Sequence, residues 1–187
     1  LHSDLSKLTH DPAFVDSLRP FVEEVDAYIS LSGAAHVQLP PLDWNKLFRK
    51  AYSICLWVRV SVEVDPAQTA ATPTATPTAT PARKLLYRFS THPEDVAGVG
   101  ICVTLGDWLL HPDGVTVSTT CTAFSLPPKQ SLAQLPLYLK ANTWQLLAIS
   151  HIFPYLKKPQ WTISVDGTRM GVAEVLYPVL DSKVIMG

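Results

Sequence analysis

Trp144-Gln145-Leu146-Leu147-Ala148-Ile149-Ser150-His151, followed a short loop later by Trp161-Thr162-Ile163-Ser164-Val165-Asp166-Gly167, decides the fold. Both segments are short, apolar and rich in residues that suit a pleated surface, so both read as strands. Asp166-Gly167 is the clearest hairpin dipeptide in the chain, with Thr168–Ala173 returning beyond it. Working upstream, Ile54, Leu56, Val58, Val60 and Val62 alternate with Cys55, Trp57, Arg59, Ser61 and Glu63. Leu85, Tyr87 and Phe89 give a shorter strand, and Val99, Ile101, Val103 and Leu105 another. Trp108–His111 and Val115–Cys121 flank a second turn signal, Pro112-Asp113-Gly114. Seven or more short antiparallel strands without intervening helices predict an all-β fold, an antiparallel β-sandwich or barrel.

The other segments differ in character. Asp11 before Pro12 is an N-cap followed by the residue type favoured at the first helical position. Phe14, Leu18, Val22, Val25 and Ile29 recur at helical spacing, Pro20 predicts a kink or two short helices, and Gly33 is a stop. Residues 1–33 are therefore a helical lead-in, and 34–187 the β domain. Within the β domain, 66–83 form an insertion whose Thr/Pro/Ala tract has no large apolar side chain, predicting a disordered loop. The threonines there also suit phosphorylation or glycosylation. Ser125–Pro136, with Pro127-Pro128, reads as a surface loop.

The chain has 187 residues, a length for one large domain, and its 47% hydrophobic content suffices for a real core. Fifteen Lys+Arg against sixteen Asp+Glu give a formal charge of -1, so no nucleic-acid footprint is expected. No run is long enough for a transmembrane segment. The chain begins at Leu1 with no leader behind it, which suggests a piece of a longer protein. Cys55, Cys102 and Cys121 form no disulfide framework or zinc motif and read as small buried residues. With neither asparagine in a glycosylation sequon, this fits a reducing cytosol.

Catalytic patterns are missing. No strand carries the carboxylate pair of a retaining glycosidase, and Glu23, Glu24 and Asp26 fall on the helical segment as a solvated face. His151, at a strand end, reads as a hydrogen-bonded structural residue. Asp95, Asp107, Asp113 and Asp166 are too scattered for calcium, and Asp113 and Asp166 are explained as turn residues, so no metal or cofactor is expected. Of the five tryptophans, Trp57 and Trp144 read as core, while Trp108 is the best exposed candidate, with a core position the commoner outcome for it too. Asp107, Trp108 and His111 make a candidate carbohydrate site.

Four stretches, in order and spacing, resemble the concanavalin A-like (laminin-G-like) sandwich family. They are Tyr52-Ser-Ile-Cys-Leu-Trp57-Val-Arg-Val, Leu86-Tyr-Arg-Phe-Ser90, Ala141–His151 and Trp161–Gly167. Ser150-His151-Ile152-Phe153, a basic-aromatic loop and the Asp166-Gly167 hairpin look like the version embedded in BEACH-domain proteins of the neurobeachin type. The likeness covers roughly residues 40 to 187, and Val184-Ile185-Met186-Gly187 is similar to the strand after the hairpin, leaving room for a final edge strand beyond it. The resemblance implies a jelly-roll sandwich and a non-catalytic module in a large cytoplasmic scaffold linked to vesicle trafficking, peripheral to membranes through the parent protein. Protein partners and neighbouring domains of the same chain follow from it. The preferred binding loop is Phe153, Tyr155, Lys157, Lys158 and Trp161, joining aromatic anchors to lysines suited to an acidic partner. The same aromatics also suit capping the core.

Overall fold

The computed structural model describes residues 11–23, 37–61, 84–90, 100–125, 129–178, 180 and 183–186. Among the described residues two helices and ten strands follow in chain order. They are α1 (Pro12–Glu23), β1 (Leu42–Asp43), α2 (Trp44–Leu47), β2 (Ala51–Val58), β3 (Lys84–Ser90), β4 (Gly100–His111), β5 (Gly114–Ser125), β6 (Lys129–Lys140), β7 (Gln145–Ile152), β8 (Gln160–Val165), β9 (Thr168–Glu174) and β10 (Lys183–Met186). The strands form a six-stranded sheet in the order β1-β10-β3-β4-β5-β6 and a four-stranded sheet in the order β2-β7-β8-β9. Every named pair is antiparallel, so the all-β expectation holds.

One core serves both sheets. Tyr87 and Phe89 of β3, Ile101 and Val103 of β4, Val115 and Val117 of β5, and Leu137 and Leu139 of β6 meet Tyr52 of β2, Leu147 and Ile149 of β7, and Trp161 and Ile163 of β8. Alternation places each of them, since residues two apart share a face.

Several expectations need correction. The stretch read as a loop, Ser125–Pro136, lies largely in β6, where Pro136 stands opposite Ser118. β6 is the last strand of its sheet, and a sheet edge is where a residue without an N–H is tolerated. The strands read at 99–105 and 108–111 fall, from Gly100 on, in one strand, β4, whose register shifts between Gly106 and Leu109 while Asp107 takes φ +50. This is a bulge, and the extra residue turns the strand without ending it. Cys121 is buried, but Cys102 is half-buried and Cys55 exposed, because Cys55 falls on the face of β2 opposite Ile54. Trp57 and Trp144 are half-buried rather than core.

Asp11 caps α1 as expected, its carboxylate accepting from the Ala13 N–H at 3.0 Å. The helix runs through Pro20 as one element. Its buried residue is Val15, with Phe14, Leu18 and Val22 half-buried. Val25, Ile29, Gly33 and the 66–83 insertion lie outside the described residues.

The β8–β9 turn forms the far corner of the four-stranded sheet. Asp166 and Gly167 have φ +48 and +75, the paired positive values of the hairpin turn that the dipeptide signals. The Asp166 carboxylate accepts from the Leu146 N–H at 2.9 Å and from the Gln145 amide at 3.2 Å. Arg19 of α1 lies 3.3 Å from the same carboxylate and donates to the Trp144 carbonyl at 2.6 Å. Its guanidinium also sits 5.9 Å from the centre of the Trp57 ring. A helix and a hairpin distant in sequence are thus joined at one corner.

Candidate interaction surface

The opposite end of β7 carries the loop singled out above. Residues 153–159 connect β7 to β8, and the Phe153 N–H donates to the Lys50 carbonyl at 2.6 Å. The Phe153 ring stacks on Tyr177, centroids 6.0 Å apart at 13°. Beyond it Tyr155 is 88% exposed and Leu156 89% exposed. Leu156 has φ +61, a left-handed conformation that costs a branched side chain of this size steric strain. Lys157 is exposed, and Lys158 pairs with Glu174 at 2.7 Å, which raises its ammonium pKa through that hydrogen bond and charge.

Trp161 does not belong to this surface. It is fully buried, standing between His151 and Ala173 in the sheet. Trp161, Ile163 and Val165 share the inward face of β8, so the loop ends before Trp161.

His151 is also core. Burial holds its imidazole down to about 4, against a smaller opposing effect of its hydrogen bond to the Val175 carbonyl. Nε2 lies 2.9 Å from that carbonyl and so carries the proton. Nδ1 is then an acceptor, facing the Tyr52 hydroxyl at 3.5 Å, and Tyr52 and Tyr87 hydroxyls are 3.0 Å apart. The polarity runs one way: Tyr87 donates to Tyr52, Tyr52 to His151, and His151 to Val175. Burial raises both tyrosines well above their usual range, so the relay stays neutral. It is a structural relay, in keeping with the reading of His151 as hydrogen-bonded framework.

Beside the loop lies an open cleft of about 500 Å³, lined by Trp44, Asn45, Arg49, Phe153, Tyr177 and Pro178. α2 supplies one wall. Asp43 caps it by accepting from the Lys46 N–H at 3.1 Å, which turns the chain so that Trp44 is buried while Asn45 stays exposed. Trp44 contacts Phe48, Tyr52, Phe89 and Tyr177 through its ring at 5.2–5.9 Å. The Tyr177 hydroxyl donates to the Phe48 carbonyl, pinning the segment that leads to Arg49. The sequence reading missed this cleft. Asp43, Trp44 and Phe48 carry a local cap and a helical spacing, but the opposite wall comes from Phe153 and Tyr177, more than a hundred residues away.

The candidate carbohydrate residues are arranged differently from the expectation. Asp107 is exposed at the bulge, but Trp108 is half-buried and packed against the core, with its indole N–H buried and without a hydrogen-bond partner. His111 is half-buried and engaged by Thr116, Nε2 to Oγ1 at 2.8 Å. Leu109 and Leu110, at 60% and 63%, are the exposed apolar residues there. Among the described residues no group of three or more His, Cys, Asp or Glu side chains stands in position to hold a metal ion, and no helix is long and apolar enough to cross a membrane. Comparison of the chain with protein-family models, with curated proteins and with solved structures found no match.

Proposed function

We propose that the chain is a non-catalytic interaction module, a concanavalin A-like jelly-roll sandwich within a large cytoplasmic BEACH-type scaffold linked to vesicle trafficking. The observation that carries the interaction reading is the apex of the β7–β8 loop. Tyr155 and Leu156 are almost fully exposed side by side, and Leu156 is held in a left-handed conformation that favours other residue types. Scattered apolar residues are ordinary on a surface, but Ile152, Phe153, Tyr155 and Leu156 are all exposed within one short stretch, the pattern of a protein-binding patch. Two antiparallel sheets over a common core agree with the proposed architecture.

The test is a pull-down from cytosol with the folded chain and with a Tyr155→Ala, Leu156→Ser double variant. The expected result is loss of specific partners at an unchanged melting temperature. A fall in melting temperature would make the loop a structural cap. A glycan-array signal that is competable and abolished by Trp108→Ala would replace the proposal with a lectin-like function at Asp107, Trp108 and His111.

A further inference from the structure

The cleft beside the loop combines an apolar wall with an exposed arginine. Phe153, 47% exposed, is the accessible apolar side chain of the cleft; it stacks on Tyr177, which like Trp44 is almost wholly buried behind the lining. Arg49 also lines the cleft, with Lys46 three residues before it and Lys50 directly after it in sequence, both exposed, and Lys157 exposed on the adjoining loop. The nearby carboxylates are engaged elsewhere. Asp43 caps α2, and Glu174 pairs with Lys158. Among the described residues no carboxylate lies within ion-pair distance of Lys46, Arg49, Lys50 or Lys157. The walls are also fixed in advance. The Tyr177 hydroxyl holds the Phe48 carbonyl, and the Phe153 N–H holds the Lys50 carbonyl, so Arg49 sits between two anchored neighbours. Preorganisation of this kind reduces the ordering cost of binding.

From this geometry we infer that the cleft docks a short acidic peptide segment of a partner protein, with one aromatic or aliphatic side chain against Phe153 and a flanking carboxylate on Arg49. The inference rests on the interaction-module reading and specifies its partner. A volume of about 500 Å³ suits one large side chain with its flanking backbone. The planar guanidinium of Arg49 matches a carboxylate in two-point geometry, and the Asn45 amide offers both a donor and an acceptor to a peptide backbone. The surrounding lysines add an attraction that speeds encounter and weakens with salt.

The experiment is selection of a random dodecapeptide display library on the full folded chain, followed by anisotropy titration of a resynthesised, labelled peptide. Enriched sequences should carry Asp or Glu next to Phe, Trp, Tyr or Leu. Arg49→Glu should weaken the resynthesised peptide about tenfold or more, the scale of one lost charge-assisted contact. Arg49 is exposed, so Arg49→Glu and the milder Arg49→Gln should melt with the parent chain. A peptide with Lys in place of each acidic residue should not bind. Enrichment of non-acidic sequences, no enrichment at all, or affinity unchanged in Arg49→Glu would overturn the inference. So would binding confined to phosphatidylserine vesicles, which would make the cleft a lipid contact. The Tyr155→Ala, Leu156→Ser variant separates the two proposals. If it loses its cytosolic partners while Arg49→Glu changes nothing, the module stands and the cleft fails. If neither variant affects capture, the module reading fails with it.

Discussion

Gly167→Val tests the corner that joins α1 to the β8–β9 hairpin. Gly167 has φ +75, a region that costs an L-residue about 1–2 kcal/mol, and more when it is β-branched. A second effect comes from packing. A Cβ on Gly167 would lie 2.5 Å from the Pro12 nitrogen and 2.7 Å from the Asp11 carbonyl carbon. Those are backbone atoms and cannot rotate aside, so the start of α1 must lift. Lifting it re-exposes Val15, at about 1.5–3 kcal/mol for a buried valine, and loosens the Arg19 contacts to Asp166 and Trp144. The combined cost is about 2.5–5 kcal/mol, strain plus undocking. Urea denaturation followed by tryptophan fluorescence measures it. The same substitution in a chain lacking residues 1–23 should cost only the strain, about 1–2 kcal/mol, because there is no helix to displace. Equal costs in the two chains would refute the packing argument. A neutral Gly167→Val in the full chain would refute the turn geometry as well.

Acid should act through His151. Its folded-state pKa of about 4 lies below the ordinary imidazole value of 6.5, so the unfolded chain takes up the proton first. The stability of the folded state therefore declines as pH falls below 6.5, and the decline levels off below about 4. This single group accounts for about 2 kcal/mol of loss between pH 8 and pH 5. Denaturation curves across that range should show the slope, and His151→Gln should flatten it; an unchanged slope would mean other groups govern it. The thiols should separate by burial. Cys55, exposed, should react with a maleimide in the native protein, whereas Cys121, buried and with its thiol pKa raised by that burial, should react only on unfolding. Peptide mapping after timed labelling reads this out, and equal rates at the two positions would contradict the placement of β2.

What could be read from the sequence follows from how local each signal is. Period-two alternation in β2, β4 and β8 and the Asp166-Gly167 turn are properties of a few neighbouring residues, and they placed the strands. The same alternation places Trp161 with Ile163 and Val165, so its burial was legible in the sequence. Pro136 was not legible as a strand residue. Its tolerance depends on β6 being the last strand of the sheet, which no local pattern states. For Trp108 the sequence leaves the choice between core and surface open for a similar reason: which one it faces is set by a bulge at Gly106 and Asp107, and it packs against the core. Within the loop, the exposure of Tyr155 and Lys157 was legible because both lie between strands. The cleft was beyond reach, since Arg49, Phe153 and Tyr177 meet only after β2 pairs with β7.

The Tyr87–Tyr52–His151 relay sets a limit on how the two sheets can slide. Leucines and valines facing one another across a core tolerate small displacements, because dispersion and burial have no direction. A chain of donors and acceptors does not. Tyr87 comes from the six-stranded sheet, Tyr52 and His151 from the four-stranded one, and each proton has one acceptor. A shear of even one ångström would leave a hydroxyl unpaired in a medium with no water to replace the partner. The relay therefore works as an alignment pin through the core. It selects one relative setting of the two layers.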